Sequence, residues 1–214
     1  MHRMAGVIPI NYEIMFEPLF HNFKFNGEEI ITLNLPKPTN SINLDAAELS
    51  IKESHIIQGG KIISTKSSLN EKDEKLTIKL AQKIKGKVKL SIKFTGTLND
   101  RLLGFYKSQY KDKKGKTKYL ATTQFEAADA RRAFPCWDEP AVKATFDVSL
   151  LVDKHLDAIS NMPVTSKRNV GSKILYKFGQ TPVMSTYLLY LGVGEFEYLH
   201  GKLRNIKIRI VTTK

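Results

Sequence analysis

Apolar and polar residues alternate with a period of two along most of this chain. In the segment 87–94, Val88, Leu90, Ile92 and Phe94 alternate with lysines and a serine, which is typical of a strand with one buried face. The pattern recurs at 76–80, 146–152 and 206–210, and shorter strands are predicted at 10–16, 28–35, 41–45, 48–57, 61–65, 105–110, 118–123, 158–161, 173–178, 186–190 and 193–199. Turn signals such as Asn26-Gly27 and Gly59-Gly60 separate these segments.

Helical periodicity is weak by comparison, and the best short helix candidate is the alanine-rich segment 126–133. Strands with a charged outer face need a second sheet to cover their apolar side. The pattern therefore predicts an all-β fold, either an antiparallel β-sandwich or a saddle-like assembly of several sheets, with at most one short helix. Because no low-complexity linker divides the chain, residues 1–214 are predicted to form a single domain.

Composition narrows the class of protein further. The chain is 42% hydrophobic, which is enough to build a core, yet its apolar runs are far shorter than the roughly 18 residues that span a membrane. Cys136 is the single cysteine, so an intramolecular disulfide is excluded and a reducing compartment is favoured. The start at Met1, His2, Arg3 and Met4 has no hydrophobic segment, which predicts no secretory signal and a cytoplasmic location.

The formal net charge of +13 raises the possibility of nucleic-acid binding. Only seven of the 34 basic residues are arginine, however, and arginine is preferred for bidentate contacts to phosphate and guanine. The lysines concentrate at 79–93 and 107–118, where alternation places many of them on outer strand faces. We interpret them as solvated surface and expect no nucleic-acid partner, with a basic nucleic-acid-binding domain as the least favoured alternative.

Familiar catalytic motifs are missing from the chain. The histidines are His2, His21, His55, His155 and His200, and no two of them stand at metal-ligand spacing. There is also no His-Glu-x-x-His pair, no phosphate-binding glycine loop and no Gly-x-Ser-x-Gly elbow. The sequence therefore predicts no catalytic residues and no metal ligands within the chain itself.

The segment 121–145 breaks the strand rhythm and mixes seven charged residues with Phe125, Phe134 and Trp137. Charge among aromatic residues calls for pairing, so Arg131 or Arg132 is expected to pair with Asp129 or Asp138. Alternatively, some of these polar groups face a ligand. Gln124 and Glu126 are alternate residues at a strand end and therefore point the same way, which would present an amide and a carboxylate to one ligand.

Two runs in this segment carry a family resemblance: Thr123-Gln124-Phe125-Glu126-Ala127 and Arg131-Arg132-Ala133-Phe134-Pro135-Cys136-Trp137-Asp138-Glu139-Pro140. They closely resemble the amino-terminal domain of the M1 (gluzincin) zinc aminopeptidases, of the aminopeptidase N, puromycin-sensitive and tricorn-interacting-factor type. Tyr12-Glu13-Ile14, Leu103-Gly104-Phe105-Tyr106, Phe146–Leu150, Ile159–Pro163 and Met184–Leu188 are similar to further family segments in the same order. The resemblance covers essentially the whole chain.

The resemblance implies a role for this chain within a longer enzyme that removes amino-terminal residues from peptides. The zinc ligands and the general base of such an enzyme lie in a following catalytic domain, so this chain is expected to be an inactive, zinc-free fragment of it. An apolar patch that normally packs on the catalytic domain would then be exposed and would favour self-association. The main alternative is a stand-alone β-sandwich module that binds peptides or proteins.

Residue by residue, the resemblance implies that Glu126 anchors the free α-amino group of a peptide substrate. Gln124 matches a residue that lines the pocket for the first substrate side chain. Arg131, Arg132, Asp138 and Glu139 match positions with structural roles. The resemblance also predicts a non-proline cis peptide bond between Glu126 and Ala127.

Overall fold

The computed structural model describes residues 6–214, so the expectations that rest on Met1–Met4 and His2 fall outside the described residues. The described chain consists of fifteen strands and two three-residue 3-10 helices, which confirms the all-β class. The strands are β1 (Ile8–Leu19), β2 (Lys24–Asp45), β3 (Ser50–Gln58), β4 (Lys61–Asn70), β5 (Lys75–Thr97), β6 (Gly104–Lys111), β7 (Thr117–Gln124), β8 (Lys143–Asp153), β9 (Asp157–Ser160), β10 (Val164–Val170), β11 (Lys173–Phe178), β12 (Met184–Ser185), β13 (Leu191–Gly194), β14 (Phe196–Leu203) and β15 (Ile206–Thr213).

The strands form three sheets. The large sheet has nine strands in the order β10-β11-β8-β1-β2-β5-β3-β4, with β12 paired to β8. A second sheet has the order β6-β7-β13-β9, and β14 and β15 form a two-stranded hairpin. β1 and β8 run parallel and are far apart in sequence, with Asn11 opposite Thr145. Within residues 6–214, no helix is long and apolar enough to cross a membrane.

Phenylalanines join the large sheet to the four-stranded sheet. Phe16 on β1 and Phe25 on β2 lie with their ring centroids 5.7 and 5.3 Å from that of Phe105 on β6. Phe134 follows the strand β7 and packs edge-on against Phe16 at 6.2 Å. Burial of each such side chain contributes about 1.5–3 kcal/mol. The segment that follows β7 is therefore fixed to the core shared by both sheets.

The long strands β2 and β5 each unite two segments that the sequence pattern separates. The break predicted between 28–35 and 41–45 is a register shift between Leu35 and Ser41, where Pro36 and Pro38 lie. Proline lacks a backbone donor, but a bulge tolerates it because the ladder is already interrupted there. The strand continues past the bulge, so β2 and β5 pair over nearly their whole length.

Three local predictions are wrong. The predicted helix 126–133 contains only the 3-10 helix Ala130–Arg132, because its arginines turn toward acidic partners on other segments. The predicted strand 186–190 is instead a 3-10 helix at Thr186–Leu188, since the Thr186 hydroxyl turns inward and donates to Asp138. The predicted strand 193–199 is broken at Glu195, where the chain leaves the four-stranded sheet and enters the hairpin.

The hairpin formed by β14 and β15 has an uncovered apolar face. Leu199 lies opposite Ile210, Gly201 opposite Ile208, and Leu203 opposite Ile206, and directly paired residues project to the same face. All five of these apolar side chains are exposed, from 44% for Ile208 to 67% for Leu199. An isolated two-stranded hairpin is marginally stable in water, so this face is suited to packing against further protein.

Candidate functional site

Gln124 is the last residue of β7, and Glu126 follows two residues later in the turn after that strand. Phe125 between them is buried and packs against Phe134, with ring centroids 6.1 Å apart. Both Gln124 and Glu126 are exposed, and the peptide bond between Glu126 and Ala127 is cis, as the resemblance predicts. Among residues 6–214, Glu126 forms no ion pair or side-chain hydrogen bond, so its carboxylate is available to a ligand.

An ion-pair network holds the segment behind Glu126. Arg131 Nε lies 3.1 Å from Asp138 Oδ2, and Arg132 Nε lies 2.8 Å from Asp129 Oδ1, which confirms the expected pairing. Both arginines also reach Glu74, in the turn just before β5, at 3.2 and 2.9 Å. The network thus ties the segment to the large sheet, which supports the structural role expected of Arg131, Arg132 and Asp138.

Electrostatics favour the charged form of this network. Burial lowers the pKa of Arg131, but its hydrogen bond to Asp138 and the nearby Asp45 outweigh burial and hold the pKa above its usual value. Asp138 is itself buried and also accepts hydrogen bonds from the Arg131 backbone N–H at 3.2 Å and the Thr186 hydroxyl at 2.9 Å. A buried carboxylate with several donors is a stable anchor for the loop.

Two tyrosines accompany Gln124 on the same face of the four-stranded sheet, and the sequence pattern did not single them out. Tyr106 on β6 lies opposite Thr122 on β7, two residues before Gln124. The Tyr190 hydroxyl lies 3.2 Å from Thr122 Oγ1. Burial, and then the nearby Tyr190, raise the pKa of Tyr106. Alternation along β6 could have predicted the face on which Tyr106 lies. The position of Tyr190 depends on the pairing of β13 with β7, which local alternation does not reveal.

The described residues contain no group of three or more His, Cys, Asp or Glu side chains placed to hold a metal ion. Asp129 and Asp138 are engaged with arginines. Cys136 is buried, and burial and the nearby Asp138 raise the pKa of its thiol well above the usual value. The donor set of residues 6–214 therefore does not fit a zinc site.

The fold and this site define an all-β domain that presents a carboxylate and an amide from the end of one strand, backed by an ion-paired loop. A family model described as the Peptidase M1 N-terminal domain matches residues 8–188. The chain therefore belongs to the peptidase M1 family, by virtue of its N-terminal domain.

Several similar proteins agree with this family assignment. The chain is 41% identical to the puromycin-sensitive aminopeptidase of Caenorhabditis elegans over 95% of its length. It is 42% identical to aminopeptidase 2 of Candida albicans over 98% of its length, and 39% identical to mitochondrial aminopeptidase 2 of Saccharomyces cerevisiae over 97%. In each comparison the chain spans 22% of the relative's length.

Proposed function

We propose that residues 1–214 are the amino-terminal substrate-anchoring and scaffold domain of a zinc aminopeptidase that removes amino-terminal residues from peptides. The observation that carries this proposal is the free Glu126 carboxylate at the end of β7, within a chain of the M1 family. The names of the relatives, which are aminopeptidases about four to five times longer, support the same activity for the whole protein.

The chemistry of the proposed anchoring is a charge-assisted hydrogen bond. A peptide that enters with a free α-amino group carries an ammonium ion, and Glu126 supplies a carboxylate that has no other partner among the described residues. Such bonds are shorter and stronger than neutral ones, and removing one partner typically costs about 2–5 kcal/mol. Gln124 lies beside Glu126 and would contact the first side chain of the peptide through its amide.

The test is steady-state kinetics of the full-length enzyme with aminoacyl p-nitroanilides. Glu126→Ala is expected to lower kcat/KM by one or more orders of magnitude for every substrate with a free amino group, because the ammonium ion loses its counter-charge. Glu139→Ala is the matched control, since Glu139 is an exposed carboxylate of the same loop. An unchanged kcat/KM in Glu126→Ala would reduce Glu126 to a structural residue and refute the proposal.

Zinc is proposed to bind in the part of the enzyme beyond this chain, because the described residues offer no fitting donor set. The 214-residue chain is accordingly expected to hydrolyse no aminoacyl substrate and to bind no stoichiometric zinc. Metal analysis of the purified chain after equilibration with zinc and gel filtration tests this expectation. One tightly held zinc per chain would contradict it.

The proposed partner of this domain within the whole protein is its own catalytic domain. The uncovered apolar face of the β14–β15 hairpin supports this, because it offers five exposed aliphatic side chains on one side. The family model ends at residue 188, before this hairpin begins. A cytoplasmic location is proposed from the single, buried Cys136, and fractionation of the host cell would test it.

A further inference from the structure

Strand register places Tyr190 next to Gln124. Gly192 on β13 lies opposite Thr122 on β7, and the antiparallel register, continued by two residues, sets Tyr190 across from Gln124. On the other side of β7, Gly104 lies opposite Gln124. A Cβ added to Gly104 would lie 2.9 Å from Arg132 Cβ, so the space beside Gln124 is bounded by Tyr190 on one side and by the Arg132 side chain on the other.

Polar contacts fix the backbone of Tyr190 although it lies just outside β13. Its N–H donates to the Asn161 side-chain carbonyl at 2.8 Å, and its carbonyl accepts a hydrogen bond from the Ser160 hydroxyl at 2.7 Å. Asn161 is held in turn, because its amide donates to the Leu188 carbonyl at 2.8 Å. These bonds fix the backbone position from which the Tyr190 side chain projects.

The Tyr190 ring lies along the sheet surface, over Gly192 and toward Thr122. The hydroxyl lies 3.2 Å from Thr122 Oγ1, and a Cβ added to Gly192 would lie 2.9 Å from the same hydroxyl. The absence of a side chain at Gly192 therefore allows the Tyr190 ring to pack flat against the sheet. Tyr190 remains 38% exposed, so part of its surface is open to a ligand.

Together with Tyr106, which lies opposite Thr122, the ring makes an aromatic surface beside Gln124. We propose that Tyr190 is a specificity-determining residue, whose ring packs against the first side chain of a peptide anchored by Glu126. The inference rests on the proposed function and deepens it, since it names the substrate class. Large apolar and aromatic first residues are favoured over alanine, because a tyrosine ring stacks with an aromatic side chain and covers an aliphatic one.

The test compares the full-length enzyme with its Tyr190→Ala and Tyr190→Phe variants on phenylalanyl, leucyl and alanyl p-nitroanilides. Tyr190→Ala is expected to lower the ratio of kcat/KM for the phenylalanyl substrate to that for the alanyl substrate about 3- to 10-fold. Tyr190→Phe keeps the ring and is expected to retain most of that ratio. Tyr119→Ala is the control, because Tyr119 is also a partly exposed tyrosine (36%) but lies on the face of β7 opposite Thr122 and Gln124.

The outcomes distinguish the specificity role of Tyr190 from the anchoring role of Glu126. A lower phenylalanyl-to-alanyl ratio in Tyr190→Ala, with the ratio kept in Tyr190→Phe and Tyr119→Ala, supports the inference. An unchanged ratio, or an equal loss on all three substrates, overturns it even when Glu126→Ala lowers kcat/KM uniformly. If Glu126→Ala has no effect while the Tyr190→Ala ratio falls, the anchoring role fails and the contact between Tyr190 and the first side chain stands on its own.

Discussion

Glu29 is an acidic residue at a strand position that faces the core, where alternation predicts an apolar side chain. It lies on β2 opposite Ile14 and Ile92, faces the core and is 1% exposed. Neither of its carboxylate oxygens has a hydrogen-bond partner among the described residues. Burial raises the pKa of Glu29 well above its usual value, because the core disfavours the charged carboxylate.

We predict that Glu29 makes the stability of the 214-residue chain fall as pH rises. The pKa is near 4.5 in the unfolded chain and raised in the folded one, so above pH 4.5 the unfolded state alone loses the proton. The free energy of unfolding then declines by up to about 1.4 kcal/mol per pH unit until the folded pKa is passed. Urea denaturation between pH 5 and pH 8 measures this slope.

The matched variants are Glu29→Gln and Glu28→Gln, which differ only in the face of β2 that they occupy. Glu29→Gln cannot ionise, so its advantage over the unmodified chain is expected to grow with pH. Glu28→Gln, at an exposed position, is expected to leave the slope unchanged. A gap between Glu29→Gln and the unmodified chain that stays constant from pH 5 to pH 8 would contradict the prediction.

Sequence alone predicted some residues of the site and missed others for physical reasons. Alternation predicted that Gln124 and Glu126 share one face, and both are exposed while Phe125 between them is buried, but β7 ends at Gln124, so their common orientation stays a prediction. The same alternation puts Glu29 on the face of Ile31 and Leu33, although its charge suggests the opposite face. Tyr190 was missed because its position beside Gln124 depends on the pairing of β7 with β13, which lie about 70 residues apart.

At the scale of elements, the segment 126–138 is held by charge rather than by regular structure. Arg131 pairs with Asp138, which is 4% exposed, and with Glu74 in the turn before β5. The sequence predicted Asp138 as a partner because it lies seven residues from Arg131. Glu74 could not be predicted in this way, because it lies 57 residues from Arg131 along the chain. The alanine-rich composition suggested a helix, but the ion pairs across segments decide the conformation.

We predict that Arg131→Ala lowers the free energy of unfolding by about 3–5 kcal/mol, because it leaves the buried Asp138 without its counter-charge. Arg168→Ala is the control, since Arg168 lies on β10, where every residue is exposed, and is expected to change stability by less than about 0.5 kcal/mol. Chemical denaturation of the 214-residue chain measures both. Equal stabilities of the two variants would show that the network contributes little.

At the scale of the whole molecule, the fold class followed from local alternation but the sheet order did not. One-sided strands require partners, and this alone implies several packed sheets. The order of strands depends on long-range pairs such as β1 with β8, which local periodicity leaves undetermined. The net charge of +13 is likewise a whole-chain property, and its lysines lie mostly on exposed strand faces such as that of β5.

The uncovered face of the β14–β15 hairpin gives the last prediction, which concerns association. The five exposed aliphatic side chains form an apolar patch whose exposure to water is unfavourable. In the isolated 214-residue chain, a second copy can bury this patch. The 214-residue chain is therefore expected to self-associate with rising concentration. The double variant Leu199→Lys with Ile208→Lys, which adds charge to that face, is expected to stay monomeric.

His200→Lys is the control for this variant, because His200 pairs with Arg209 on the opposite face of the hairpin. It adds a lysine to the same strand without touching the apolar face, so it is expected to associate like the unmodified chain. Sedimentation velocity across a hundredfold range of concentration distinguishes the three proteins. If the unmodified chain stays monomeric throughout, or if both variants dissociate alike, the apolar face does not drive association, and it loses its value as support for packing against a catalytic domain.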